Sequence, residues 1–265
     1  MDYKYPTPQL LFKAICNAIR SKTGNSDEIP HQNIPDELDS IITEEECEIA
    51  ARELSNIIYG SDVKVLDSKY ILNIASYKFY GSGLTTVNLP KCTSIRISAF
   101  SGCTSLTTVN LPECTTLGYG AFSDCTNLTT VNLPKCTYIE SNAFQSCTNL
   151  TTIVLPKCTY INTYAFKDCT SLTTVNLPEC TDIRTCAFEN CTNWTTIILS
   201  NNQVVTLGAT DVFRGSGISR GSGYIYVPDN LVDSYKSDTN WSTYANQIKP
   251  LSELPNNIKE EYGYV

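Results

Sequence analysis

Charge is scarce in this sequence. Asp, Glu, Lys and Arg together make up 17% of the 265 residues, and 27 acids against 19 bases leave a net charge of −8. The imbalance is uneven. Residues 1–83 hold 13 acids and 8 bases, net −5; residues 84–215 hold 8 and 7, net −1; residues 216–265 hold 6 and 4, net −2. No basic stripe is available to neutralise phosphates, which argues against nucleic acid as a partner. No run approaches the ~18 apolar residues of a membrane-crossing helix. The opening MDYKYPTPQLL lacks a basic region followed by an apolar one, so no secretory signal is read there, nor a C-terminal anchor at the other end. Histidine occurs once, His31, in a Pro-flanked loop with no neighbouring cysteine, and reads as a solvated side chain. No G-x-S-x-G, phosphate-binding loop or paired carboxylates stand out. Neither a catalytic residue nor a cofactor or metal is expected.

What is abundant is repetition. LTTVNLPECT stands at 106–115 and again at 172–181, with LTTVNLPKCT at 128–137 and LTTIVLPKCT at 150–159. The phrase opens at Leu84, Leu106, Leu128, Leu150 and Leu172, and Trp194 starts a looser copy, so the array advances by a constant 22-residue step. A fixed period of this length means stacked units that bury their apolar sides only against one another. Within a unit, Val87 and Leu89 alternate with Thr86 and Asn88, the period of a strand with the first pair facing in. Pro90 lacks an N–H and tends to end the ladder. A bent return segment then carries Ala99, Phe100 and Cys103, a pattern that recurs four more times, and drops one ring into the core per coil. A near-identical array offers no place for unequal catalytic residues, but it does make surfaces.

Thirteen cysteines are present. Ten fall in two columns: Cys92, Cys114, Cys136, Cys158 and Cys180, then Cys103, Cys125, Cys147, Cys169 and Cys191. Neighbours in a stacked column lie about 4.8 Å apart with parallel Cβ vectors, whereas a disulfide needs converging vectors and Cβ atoms at about 3.8 Å. Five members per column would also leave one unpaired. They read as buried free thiols, acting as small apolar side chains. Zinc is disfavoured, because successive ladder cysteines stand half a repeat apart, not in close ligand pairs. Cys186 replaces a variable surface position and is left open, either an exposed thiol or a local bridge.

The chain ends differ from the array. Residues 1–60 read as a helical N-terminal segment: Leu11, Ile15, Ala18 and Ile19 at helical spacing, a second run with Leu38, Ile41 and Ile42, and the acidic start Glu44, Glu45, Glu46 and Glu48 placed for the helix dipole. Residues 61–83 read as a degenerate capping repeat, in phase at a 21-residue step, with Leu66, Ile74 and Phe79 in the slots of Val87, Ile95 and Phe100. Six repeats occupy 84–215. Residues 216–265 form a C-terminal cap, with a strand at 223–228 and short helices at 229–236 and 241–248. Tyr235 and Trp241 plug the last coil.

The phrase L-x-x-V-x-L-P, with a returning A-F-x-x-C-T-x-L, resembles the BspA-like leucine-rich repeats of bacteria over 84–215. Where that family commonly has a serine–valine pair, this chain has Lys91-Cys92 or Glu113-Cys114. The tail at 224–254 is similar to the closing segment of such proteins. The stretch 18–41 resembles a helical segment of gut-bacterial repeat proteins and of some prophage structural proteins. The resemblance implies an α/β repeat solenoid, a right-handed leucine-rich-repeat coil with a parallel β-sheet. It also implies a non-enzymatic binding protein at the cell surface, of adhesin type, with a protein or glycan ligand. A prophage structural or receptor-binding component, and an intracellular scaffold suited to free thiols, stay open beside it.

Two surfaces are candidates for binding. The outward strand positions make ladders: Thr86, Thr108, Thr130, Thr152, Thr174 and Thr196, and Asn88, Asn110, Asn132 and Asn176, interrupted by Val154 and Ile198. They suit extended ligands, or simply give a soluble sheet with stacked amides. The second is an edge with Tyr119, Tyr138, Tyr160 and Tyr164, where tyrosines supply contact area at low entropy cost or merely fill the edge.

Overall fold

The computed structural model describes residues 64–69 and 71–264. The chain divides into two units, Met1–Val63 and Lys64–Val265, and the second holds every strand and helix among the described residues. The expected helical segment 1–60, with His31 and the acidic start Glu44, Glu45, Glu46 and Glu48, lies outside the described residues, as do residues 61–63 of the expected capping repeat.

Strands alternate between two sides of a coil. The front strands are β1 (Val65–Asp67), β3 (Thr86–Asn88), β5 (Thr108–Asn110), β7 (Thr130–Asn132), β9 (Thr152–Val154), β11 (Thr174–Asn176), β13 (Thr196–Ile198) and β15 (Tyr224–Val227), with β16 (Ile248–Pro250) added at the end. The back strands are two residues long: β2 (Asn73–Ile74), β4 (Ser94–Ile95), β6 (Thr116–Leu117), β8 (Tyr138–Ile139), β10 (Tyr160–Ile161), β12 (Asp182–Ile183) and β14 (Thr206–Leu207). The front row pairs as a five-stranded group, β1 to β9, and a four-stranded group, β11 to β16; the back strands form one seven-stranded sheet. All pairs are parallel, and Val87↔Val109↔Val131 shows the register of like with like.

This is a parallel β-solenoid of about eight coils, and it corrects the α/β expectation. The described residues hold only two short α-helices, α1 (Val232–Ser237) and α2 (Asn256–Tyr262), both near the end. The reason lies in the return segment. In five successive coils two residues four apart take left-handed backbone: Ser98 and Gly102, Gly120 and Asp124, Asn142 and Ser146, Tyr164 and Asp168, Cys186 and Asn190. A left-handed residue ends a right-handed helix, so the chain turns twice and returns to the front without forming one. Gly, Asn and Asp hold six of these ten places, the types that tolerate this conformation best.

The core is one column per slot. Val87, Leu89, Cys92, Ile95, Ala99, Phe100 and Cys103 and their counterparts in the next four repeats are all buried. The phenylalanines stack from coil to coil: Phe79 on Phe100, then Phe122, Phe144, Phe166 and Phe188, at 5.1–5.5 Å between ring centres and within 9° of parallel. Each such pair contributes about 0.5–1.5 kcal/mol beyond its buried area. The 21-residue step of the first described coil is present in the structure: Leu66 pairs Val87 and Ile74 pairs Ile95. The missing residue falls in the turn, since Gly81 still pairs Ser101 whereas Leu84 and Leu106 begin phrases one full repeat apart.

At the far end, Ile225 and Val227 face in and are buried, as are Tyr235 and Trp241. Trp241 Nε1 donates to the Val205 carbonyl at 2.6 Å, and the Val205 amide donates to the Tyr235 hydroxyl at 3.1 Å. The second expected helix, 241–248, is instead a 3-10 turn, Trp241–Tyr244, followed by β16, whose Ile248 pairs Ile225. The exposed backbone edge of β15 recruits a last strand there.

Candidate binding surface

The ten cysteines of the two columns line the interior of the coil. All ten are fully buried, and all eleven cysteines among the described residues are free. Each thiol is more than a filler. In the second column Cys125, Cys147, Cys169 and Cys191 donate to the carbonyls of Phe100, Phe122, Phe144 and Phe166 in the preceding coil, all at 3.1 Å. In the first column Cys92, Cys114 and Cys136 donate to carbonyls two residues on, at 3.3–3.4 Å. Burial pushes the Cys136 thiol up to about 12 and Cys92 to about 11, so they stay protonated and keep their donor. Cys186, read as exposed or bridged, is buried and free; its Sγ donates to Asp211 Oδ2 at 3.1 Å. Its counterparts Ser98, Asn142 and Tyr164 share the left-handed backbone but are only half-buried, so what sets Cys186 apart is its bond to Asp211 of the following coil.

The front face is knitted by side chains. Asn88 Nδ2 donates to Asp67 Oδ1 at 2.9 Å, Asn110 to Asn88 and Asn132 to Asn110 at 2.8 Å each. Each amide of this ladder uses one N–H, so a second N–H remains on every rung. Beside it, Thr107 and Thr129 hydroxyls donate to the carbonyls of Thr85 and Thr107 at 2.9 and 3.0 Å. That neighbouring threonine column, not the outward one, makes the coil-to-coil bonds. Thr108 and Thr130 are exposed, Thr86 and Thr174 are half-buried, and Thr152 lies on β9. Thr196 is buried. Val154 is 41% exposed, while Ile198 in the same column is fully buried.

The tyrosines stand elsewhere. Tyr138 and Tyr160 belong to the back strands β8 and β10 and stack at 4.7 Å, 5° from parallel. Arg184 covers the Tyr160 ring at 5.2 Å, donates through Nε to its hydroxyl at 2.6 Å, and pairs with Asp182 at 3.0 Å. Asn162 Nδ2 donates to Glu140 Oε2 at 3.0 Å and lies 3.3 Å from the Tyr138 hydroxyl. Tyr164 sits in the following turn under Lys167, 5.0 Å from its ring centre, and Tyr119 is an exposed turn residue. The ladder and the tyrosines therefore do not converge on one site, because the 22-residue coil places them on opposite sheets. Arg184 and Asp182, which complete the tyrosine cluster, carry no sequence signal beyond their place in the column. Among the described residues no group of three or more His, Cys, Asp or Glu is arranged to hold a metal.

Comparison with known proteins agrees with this geometry. Residues 72–195 match the BspA type leucine rich repeat region, in six copies. A leucine-rich repeat protein from Eubacterium ventriosum is similar in structure at 25% identity and a TM-score of 0.53, over 58% of this chain and 42% of that one. A T. pallidum leucine-rich repeat protein is similar at 27% identity and a TM-score of 0.50, over 66% of this chain and 82% of that one. The chain thus spans less than half the length of the Eubacterium ventriosum protein. No curated protein matches it. Over residues 72–195, just under half of its length, this chain is thus similar to the BspA type of leucine-rich repeat.

Proposed function

We propose that this chain is a non-enzymatic binding protein of the bacterial cell surface, an adhesin-type module that takes a host protein or a glycan on the outer face of its front sheet. One observation carries the reading. Asn88, Asn110 and Asn132 form a fixed row of amides, each with an N–H beyond the one spent on the ladder, flanked by exposed Thr108 and Thr130. Such a row offers evenly spaced, uncharged donors to an extended ligand, with no ordering cost in the protein. The repeat family, which generally serves binding, supports the same class. The test is antibody labelling of intact source cells against permeabilised ones. Labelling of intact cells is expected. It leads to an array of glycans and matrix proteins, probed with the chain and with a Thr108→Lys/Thr130→Lys variant that puts two charges into the row. Labelling only after permeabilisation would sink the surface reading.

One observation favours a second reading, an intracellular scaffold. Eleven described cysteines are all free thiols, the state that the cytosol maintains. The same labelling experiment separates the two.

A further inference from the structure

The outer face of the front sheet changes character along the coil. The position held by Asp67, Asn88, Asn110 and Asn132 passes to Val154, Asn176, Ile198 and Tyr226. Ile198 and Tyr226 should face solvent there, because Ile197 and Ile225 fill the core side of the same strands. They are buried nonetheless. Leu254 joins them in one cluster, and Leu251, Ile258, Tyr262 and Tyr264 pack against it.

All five covering residues come from the last segment, 251–264. Leu254, Ile258 and Tyr262 are four residues apart and lie along one side of α2 and its approach. Gly263 ends the helix with left-handed backbone, and the Tyr264 amide then donates to the Lys259 carbonyl at 2.9 Å. This brings the Tyr264 hydroxyl to Asn176 Oδ1 at 2.9 Å, with Ser200 Oγ also at 2.9 Å. No residue of α2 is itself fully buried, so the helix is held along one side only. Its tip stops at the rung next to exposed Val154.

We propose that the outer face of β13 and β15 is a docking site for a short amphipathic helix, and that segment 251–264 is its resident occupant, a strap that closes the last rungs of the front face. The occupant is defined by its chemistry: aliphatic, aliphatic and tyrosine side chains at four-residue spacing, and a terminal hydroxyl for Asn176. Release of the strap bares Ile198 and Tyr226 and frees the Asn176 oxygen, extending the accessible row past Val154. That consequence rests on the binding role proposed for the front face; the docking itself does not.

A tethered helix works at an effective concentration in the millimolar range, which excludes a free competitor. The probe is therefore a fluorescein-labelled synthetic peptide of residues 251–264, followed by anisotropy against the full chain. An Ile258→Ser/Tyr264→Phe variant loosens the resident strap and is expected to bind the peptide at least about tenfold more tightly than the wild type. Adding Ile198→Ser to that variant should abolish binding. Asn176→Ala, which removes only the bond at the tip, should weaken it, and serves in place of Ile198→Ser if circular dichroism shows that change to unfold the chain. Equal binding to wild type and loosened variant, no binding to the loosened variant, or binding that survives the Ile198 and Asn176 changes would each overturn the proposal. None of these outcomes involves Asn88 to Asn132, so failure here is distinct from failure of the surface-binding reading.

Discussion

A buried thiol in this coil meets two demands at once. It is small enough to recur in five successive coils without overfilling the stack, and it still has a weak donor for a carbonyl. Cys147 is fully buried, and its Sγ donates to the Phe122 carbonyl at 3.1 Å. Cys147→Ser keeps a donor within reach of that carbonyl but buries a more polar atom with lone pairs unmet. It should lower stability by about 1–2 kcal/mol, with unfolding still cooperative. Cys147→Leu adds volume where Cys125 and Cys169 already flank the slot, and should cost about 1–3 kcal/mol or more. Denaturant midpoints of the two variants check this. An unchanged midpoint for the leucine variant would mean that the slot has spare room and that cysteine is not chosen for size.

At the scale of the element, the turns are coupled as well as the strands. Lys167, Glu189 and Arg214 stand on three successive turns. Arg214 Nε donates to Glu189 Oε1 at 3.1 Å, and Lys167 Nζ lies 3.4 Å from Oε2. The Glu189 side chain is 8% exposed and that of Arg214 59%, so the pair is half screened by solvent. Burial pushes the Glu189 carboxyl up, but the hydrogen bonds from Arg214 and the ion pair with Lys167 outweigh it and leave the group below its ordinary value. A depressed carboxylate gives its full contribution above the unfolded value and loses it as pH falls through the folded one. Glu189→Gln should therefore cost about 1–2 kcal/mol near neutral pH and much less in acid below the folded value. Urea melts at both conditions check it; an equal loss at both would show that shape, not charge, holds this turn. The strands, the 21-residue step and the cysteine columns were legible because each is a periodic apolar signal repeated many times. The turns were not, since left-handed residues such as Tyr164 and Cys186 break the Gly and Asn preference that would reveal them. The strap was hidden for another reason. Leu254, Ile258 and Tyr262 make too short a pattern to stand out, and only Ile198, an apolar residue in a polar column, hinted that something covers that rung.

From Lys64 onward the described residues form a quasi-one-dimensional stack, whose stability is a sum of coils and the contacts between them. A unit can then be removed whole but not in part. Deleting 128–149, one complete repeat, joins Asn127 to Leu150 and restores the phrase in phase. Phe122 then meets Phe166, and Cys125 meets Cys169, as like residues already do elsewhere in the columns. The polar row shortens by one rung, and the Tyr138–Tyr160 stack is lost. The Glu189 contacts and the strap, both further along the chain, are unaffected. This variant should stay soluble, keep its β-type circular dichroism and unfold cooperatively, with a melting temperature lower by a few degrees. Deleting 128–138 instead takes out β7 and the first residue of β8 but leaves the following turn, so Phe144 and Cys147 have no strand to carry them into the core. That chain should be recovered only as aggregate. Equal solubility and equal melting behaviour in the two variants would contradict a fold built from interchangeable 22-residue coils. A collapse of both would mean that the coils near the middle are not equivalent. The division of the front sheet between β9 and β11 makes that the place to look first, because coupling across it decides whether the two halves melt together.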